Sequence, residues 1–308
     1  MIDMKAQTFG IEIETVGLRR GDIAKAIAKA TGGRAKYDAA PNGGYGRWET
    51  LLPDGRSWKV VRDGSLSGGI RSGEAVSPIL TEADFPMVRR VAEALSDAGA
   101  RADSSCGLHI HVGAPEMTGP EMANLVKLTA KMESYFTPAF GIEPRRIHRY
   151  CRPVEKRLLA ALKARTPETR EEFADMWYEA GGDLSREHKY NSSRYHGLNL
   201  HALFFQGTVE YRYFNGTLDP AKIVSYALFA MALTAKARNA KAAQAGSREY
   251  TPESARYDWR VFLNDLGVIG AEYAEARTVL TAAFSGDCST TPGRRLRRTR
   301  LAGLAEAA

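Results

Sequence analysis

Cysteine is scarce in this sequence. The three thiols, Cys106, Cys151 and Cys288, are odd in number and far apart, so neither a disulfide framework nor a C-x-x-C zinc site is indicated and reduced thiols are expected. Long apolar runs are missing too: nothing approaches the roughly 18 residues of a membrane-spanning helix, so no membrane association is expected. The opening MIDMKAQTFGIEIE enters strand-like sequence at once, without the charged-then-apolar pattern of a secretion signal. A soluble, cytoplasmic protein is expected. No G-x-x-x-x-G-K-[ST] loop occurs, which excludes a P-loop site, and no segment repeats.

What is present is ordinary globular composition, 44% hydrophobic and 26% charged over 308 residues. The net charge is +7, but five arginines sit in RRLRRTR, residues 294–300; taking those five from +7 leaves +2 for everything else. The basic excess belongs to a tail, either solvated or able to hold an acidic partner or nucleic acid.

The first third reads as short strands and tight turns. TFGIEIETVG (8–17) alternates Ile11 and Ile13 with Glu12 and Glu14, the period of a half-buried strand. DIAKAIAKATGG has helical spacing, with Asp22 placed as its cap. RAKYD, RWETLL and SWKVVRDG follow, separated by PNGGYG and PDGR, links short enough to favour antiparallel pairing. GEAVSPIL reads as a strand, 81–98 as a helix and CGLHIHVG (106–113) as a strand. Helical spacing then runs over 121–136, 152–165 and 167–179. HGLNLHALF and TVEYRYF, joined at Gln206-Gly207, read as a β-hairpin, and Asp219-Pro220 as the start of a further helix. The order points to an α+β fold with a mostly antiparallel sheet.

Four strands carry polar side chains at i and i+2: Glu12/Glu14, His109/His111, Asn199/His201 and Glu210/Arg212. Alternate strand residues share a face, so each pair opposes an apolar set, Leu108/Ile110/Val112 or Leu198/Leu200. Any one pair suits a solvated sheet face. Together they crowd like charges, which a divalent cation commonly neutralises. Glu12, Glu14, Glu210 and Glu74 offer hard oxygen ligands, a set suited to Mg²⁺ or Mn²⁺ more than zinc. Carboxylate-held Mg²⁺ usually serves phosphate substrates, and Arg212 is placed to meet residual negative charge. Cys106 reads as a small buried residue beginning a strand.

FGIEIE, RDGSLSGGIRSGEAVSPIL, CGLHIHVG, RYHGLNL and TVEYRYFNGTLDP, spanning 9–220 in order, resemble the motif series of the amidoligases. These bacterial and phage-associated proteins fall in the carboxylate-amine ligase superfamily with glutamine synthetase and glutamate-cysteine ligase. The resemblance implies a curved antiparallel sheet with helices on one face, like the glutamine synthetase catalytic domain. It implies ATP and Mg²⁺ on the concave face, phosphorylation of a substrate carboxylate to an acyl phosphate, and displacement by an amine to give an amide. Glu12 and Glu14 match metal ligands, Glu210 and Arg212 a metal ligand and a phosphate-facing arginine, and Glu74 a further carboxylate of the metal site. His109 and His111 match a strand contacting metal or phosphate, without saying which does which. Asp63 is similar to an acid that handles the incoming ammonium; Asn199 and Arg194 match family positions on the nucleotide side. Arg62 and Arg71 are either carboxylate-steering or solvated loop residues.

One ligase-like domain is therefore expected over 1–285, with a helical insertion at about 115–190, C-terminal helices at about 220–285 and a basic tail over 286–308. Its partners would be a carboxylate-bearing substrate, such as a peptide or cell-wall precursor, and an amine donor. Two alternatives stay open: a metal-dependent hydrolase using His-x-His and the carboxylates to activate water, and a nucleic-acid-binding protein acting through the tail.

Overall fold

The computed structural model describes residues 1–39 and 46–287. The arginine stretch 294–300, Cys288 and all but the last residue of PNGGYG lie outside the described residues. The elements begin with β1 (Phe9–Val16), α1 (Arg20–Thr31), β2 (Arg34–Asp38), β3 (Arg47–Leu51), β4 (Ser57–Val61) and β5 (Ser72–Val76). There follow α2 (Phe85–Asp97), β6 (Gly107–Gly113), α3 (Gly119–Phe140), α4 (Pro144–Arg149), α5 (Lys156–Ala164) and α6 (Arg170–Gly181). Last come β7 (Leu198–Asn199), α7 (His201–Gln206), β8 (Thr208–Asn215), α8 (Pro220–Asn239), α9 (Ala255–Asp265) and α10 (Ala274–Thr281).

The described strands form one open sheet, antiparallel throughout, in the order β2-β3-β4-β5-β1-β6-β8-β7. This is the α+β arrangement that the order of strands and helices in the sequence implies. Its apolar face carries Ile11, Ile13, Leu108, Ile110 and Val112, all buried. Helix α1 lies across β2 to β5, α8 lies across β1, β6 and β8, and α2 packs on both helices. Each such fully buried side chain contributes about 1.5–3 kcal/mol by leaving water. Helix α8 is buried almost all round because α3, α9 and α10 cover its other side. Its cap is the Asp219 read from the sequence, whose carboxylate accepts from the backbone N–H of Ala221 and Lys222. Among the described residues no helix is long and apolar enough to cross a membrane.

Three local readings change. Helix α1 begins two residues before Asp22, with Arg19 as its N-cap; Asp22 sits in the first turn, where a carboxylate suits the helix dipole. Pro144–Arg149 forms a short helix that the spacing alone did not signal, and the next helix starts at Lys156 rather than 152. The expected hairpin strand stops at Asn199. The Asn199 side-chain oxygen accepts from the N–H of His201 and Ala202, which starts α7 and removes His201 from the sheet. His201 is buried against Tyr178 instead, Nδ1 to hydroxyl at 2.7 Å, so Asn199 and His201 are not a strand pair.

One irregularity positions the polar face. Between the pairs Leu108–Phe214 and Ile110–Tyr211, two β8 residues, Arg212 and Tyr213, oppose the single His109. This bulge keeps Arg212 on the same face as Glu210 and turns Tyr213 toward the helices, where its hydroxyl donates to Glu133 of α3 at 2.6 Å. Gly197 braces it. Its carbonyl accepts from Arg212 N–H at 2.8 Å, and a Cβ there would lie 2.0 Å from the Tyr213 ring. Gly197→Ala is expected to cost about 1–3 kcal/mol by overpacking, measured by urea unfolding; an unchanged midpoint would show that the ring gives way and the bulge is not braced here.

Candidate active site

Register turns the separate sequence pairs into one stripe. Glu74 faces Glu14 between β5 and β1, Glu12 faces His109 between β1 and β6, and His111 faces Glu210, which in turn faces Asn199. All share the face opposite the helices, and most of them floor a cavity of about 630 Å³ whose other walls include Asp63, Arg194 and Tyr190. A more apolar groove of about 430 Å³, running past Gly10, Pro78 and Gly113, joins it at Glu12, His111 and Gln206.

Hydrogen bonds lock the stripe together. Glu12 reaches both imidazoles, with Oε2 3.0 Å from His109 Nδ1 and Oε1 3.3 Å from His111 Nε2. Glu210 accepts from Arg212 Nη1 through one oxygen and from Asn199 Nδ2 through the other, each at 2.5 Å. Arg212 Nε donates to the Tyr150 carbonyl at 3.3 Å. Glu14 accepts from Gly107 N–H. Glu74 enters no ion pair among the described residues.

The charges on this floor do not balance locally, and the acidities follow. Burial would raise the Glu12 carboxyl, but His111 and then His109 hold it well below the usual carboxylate range. Burial likewise opposes Glu210, whose carboxyl Arg212 and the imidazoles hold low. Glu14 is pushed up by burial. Glu74 is pushed well above the carboxylate range, by burial first and then by Glu12 and Glu14. His111 is raised despite burial, because Glu12 and Glu210 favour its imidazolium.

The other sequence-picked residues separate. Asp63 lines the cavity while its carboxylate accepts from Ser65 N–H at 2.6 Å, as the turn reading expects. Arg194 lines the wall with its guanidinium over the Tyr190 and Tyr195 rings, 5.3 and 5.6 Å from their centroids. Asn199 is buried, and its contacts are with Glu210 and the start of α7. Arg62 also lines the cavity, whereas Arg71 turns to the Gly17 carbonyl. Cys106 is buried, and burial pushes its thiol up to about 11, which leaves it unreactive. Sequence reading passed over Arg146 of α4, a buried cavity residue; the one available signal was the basic run EPRRIHRY in a segment with no matching motif.

A family model described as "putative amidoligase enzyme" matches residues 5–234. The chain belongs to the amidoligase family. The residues of the stripe, from Glu12 to Arg212, all lie inside the matched span, and membership supports ligase chemistry. None of the curated proteins matches the sequence.

The amidoligase floor fits a divalent cation on its own donor chemistry. Glu12, His109 and Glu210 each present a ligand atom within 4.8 Å of the others, and so do Glu14, Glu74 and His109. His109 is common to both groups and His111 belongs to neither. Buried His111 Nε2 lacks a hydrogen-bond partner among the described residues, although Glu12 lies beside it.

A pH-dependent stability follows. Because the folded Glu74 carboxyl holds its proton to higher pH than the unfolded one, its favourable contribution is complete at low pH and is lost as pH rises through the elevated value. Glu14 and His111 act in the same sense. Glu12 and Glu210, held low, act oppositely but only below the ordinary carboxylate range. A bound cation needs the deprotonated groups and reverses the trend. Without metal at pH 8, Glu74→Gln is expected to raise Tm by about 1–2 °C, roughly 1 kcal/mol for a chain this size, while Mg²⁺ or Mn²⁺ raises the wild type more than the variant. Calorimetry with and without EDTA reads both; a metal-free variant less stable than wild type would contradict the charge crowding.

Proposed function

We propose that the protein is an ATP-dependent carboxylate-amine ligase that forms an amide or isopeptide bond through an acyl phosphate. The observation that carries this reading is the stripe itself: four carboxylates crowded on one sheet face beside a buried, ion-paired arginine, in a chain of the amidoligase family.

Glu12, Glu14, Glu74, Glu210 and His109 would hold Mg²⁺, or Mn²⁺ in its place, all but the imidazole being hard oxygen donors. Bound there, the cations supply charge neutralisation to a transferring phosphoryl group. The residues do the rest. Arg212 is fixed by Glu210 and by the Tyr150 carbonyl, so its guanidinium meets phosphoryl charge without reorganising. Asn199 steadies Glu210, and through it Arg212. His111, outside both metal groups and held by Thr208 at 3.1 Å, stands where the cavity meets the apolar groove and faces the nucleotide's phosphates. The groove takes the nucleoside, and Arg194 lies on the far wall. Asp63 accepts the proton that the amine loses on attack. The acid is a carboxylate carried on a peptide or a cell-wall precursor.

Phosphoryl transfer of this kind asks for positioning and neutralisation rather than a covalent nucleophile, in keeping with the inert Cys106. The test is release of ADP and phosphate that requires Mg²⁺, an acid and an amine together. Glu12→Gln and Arg212→Ala are each expected to lower kcat by about 10²–10³-fold with folding retained by circular dichroism. Turnover of ATP indifferent to both substitutions would refute the ligase reading, and hydrolysis without ATP would favour a metal-dependent hydrolase instead.

A further inference from the structure

Arg146 is a buried cation that lacks an anionic partner. It is 3% exposed, and no carboxylate among the described residues lies within ion-pair distance. Of the five N–H donors of its guanidinium, one on Nη1 reaches the Cys106 carbonyl and one on Nη2 the Arg212 carbonyl, both at 3.3 Å. Nε is buried with no partner at all. Leaving a buried charge so weakly satisfied costs several kcal/mol, yet the side chain lines the cavity beside the carboxylate stripe.

Its seat is specific. A Cβ on Gly107 would lie 2.7 Å from Nη2, 2.9 Å from Nη1 and 3.1 Å from His109 Nε2. The bare glycine backbone is therefore what lets the guanidinium lie against β6, next to the imidazole shared by both ligand groups. Arg212, the neighbouring buried guanidinium, already has Glu210. Once divalent cations take up the charge of Glu14 and its neighbours, Arg146 is the cation left uncompensated.

We propose that Arg146, seated on Gly107, forms an oxyanion subsite that holds the carboxylate of the acid substrate. The assignment rests on the ligase reading. A planar guanidinium fork matches a carboxylate bidentately, whereas Lys would offer only a point charge. The same chemistry could instead take a phosphoryl oxygen, so the test separates the two sources.

The probes are acetate, followed by saturation-transfer NMR, and inorganic phosphate, followed by ³¹P line broadening, on the full chain with Mg²⁺. Arg146→Met and Gly107→Ala should each weaken acetate about 10–100-fold, the loss of a charged hydrogen-bond partner. Arg146→Lys should weaken it less, and phosphate should change by no more than about twofold, the smaller side of a 1.4 kcal/mol decade. Equal acetate binding by wild type and Arg146→Met, no acetate binding by wild type, or a loss confined to phosphate would each overturn the assignment. If Arg146→Met does not fold, Gly107→Ala and Arg146→Lys decide, since Gly107 has no positive φ and tolerates a Cβ on its own account. Mn²⁺ binding followed by electron paramagnetic resonance should be unchanged in Arg146→Met and Arg146→Lys, which leave Glu14 and His109 untouched, whereas Gly107→Ala crowds His109 Nε2 and is read by acetate and phosphate alone. Absence of Mn²⁺ binding in wild type counts against the ligase reading alone, because the acetate comparison is repeated without metal.

Discussion

Repulsion among buried and half-buried carboxylates organises this molecule. Glu12, Glu14, Glu74 and Glu210 converge on one face of a sheet whose opposite face is a dry core, so they cannot turn away without exposing Ile11 and Ile13 or breaking register. Two histidines and Arg212 absorb part of the charge. Burial first, and then the unabsorbed charge of Glu12 and Glu14, push the Glu74 carboxyl upward. A core good enough to tolerate this is what the layers of α1, α2 and α8, and then α3, α9 and α10, provide. The strain is local, and it falls on the floor of the cavity.

Much of this was legible in the residues. Period-2 alternation in FGIEIE and GLHIHVG announced one apolar and one polar face, and the short links around PDGR announced antiparallel neighbours; the sheet has both. Glu74 was already among the hard oxygen donors read from the residues, and the family motifs matched it to a carboxylate of the metal site. The hairpin at 196–214 failed for a local reason, since Asn199 satisfies backbone N–H groups that a continuing strand would have paired across the sheet. Strand periodicity could say that His109 and His111 share a face but not which joins the carboxylates. Register pairs His109 with Glu12 and His111 with Glu210, so both meet carboxylates, and register is a long-range property.

Arg146 was illegible for a different reason. It arrives from a six-residue helix outside the sheet's period, and what marks it is the absence of a side chain at Gly107, 39 positions earlier in the chain. The polar side chains of the floor sit on strands, where spacing advertises them. Arg146 lies on a loop-and-helix wall, where spacing advertises little.

The strand order has a kinetic corollary. The stripe draws on residues from Glu12 to Arg212, and its central neighbour to β6 is β8, nearly a hundred residues further along. Closing such a loop is slow, because its entropy is lost before any contact rewards it. An emerging chain that has paired β1, β5 and β6 owns Glu12, Glu14, Glu74 and both histidines but lacks Glu210 and Arg212. It has the acidic half of the site without the arginine that offsets it. The last strand to dock therefore completes the sheet and brings the offsetting arginine to the stripe in one step.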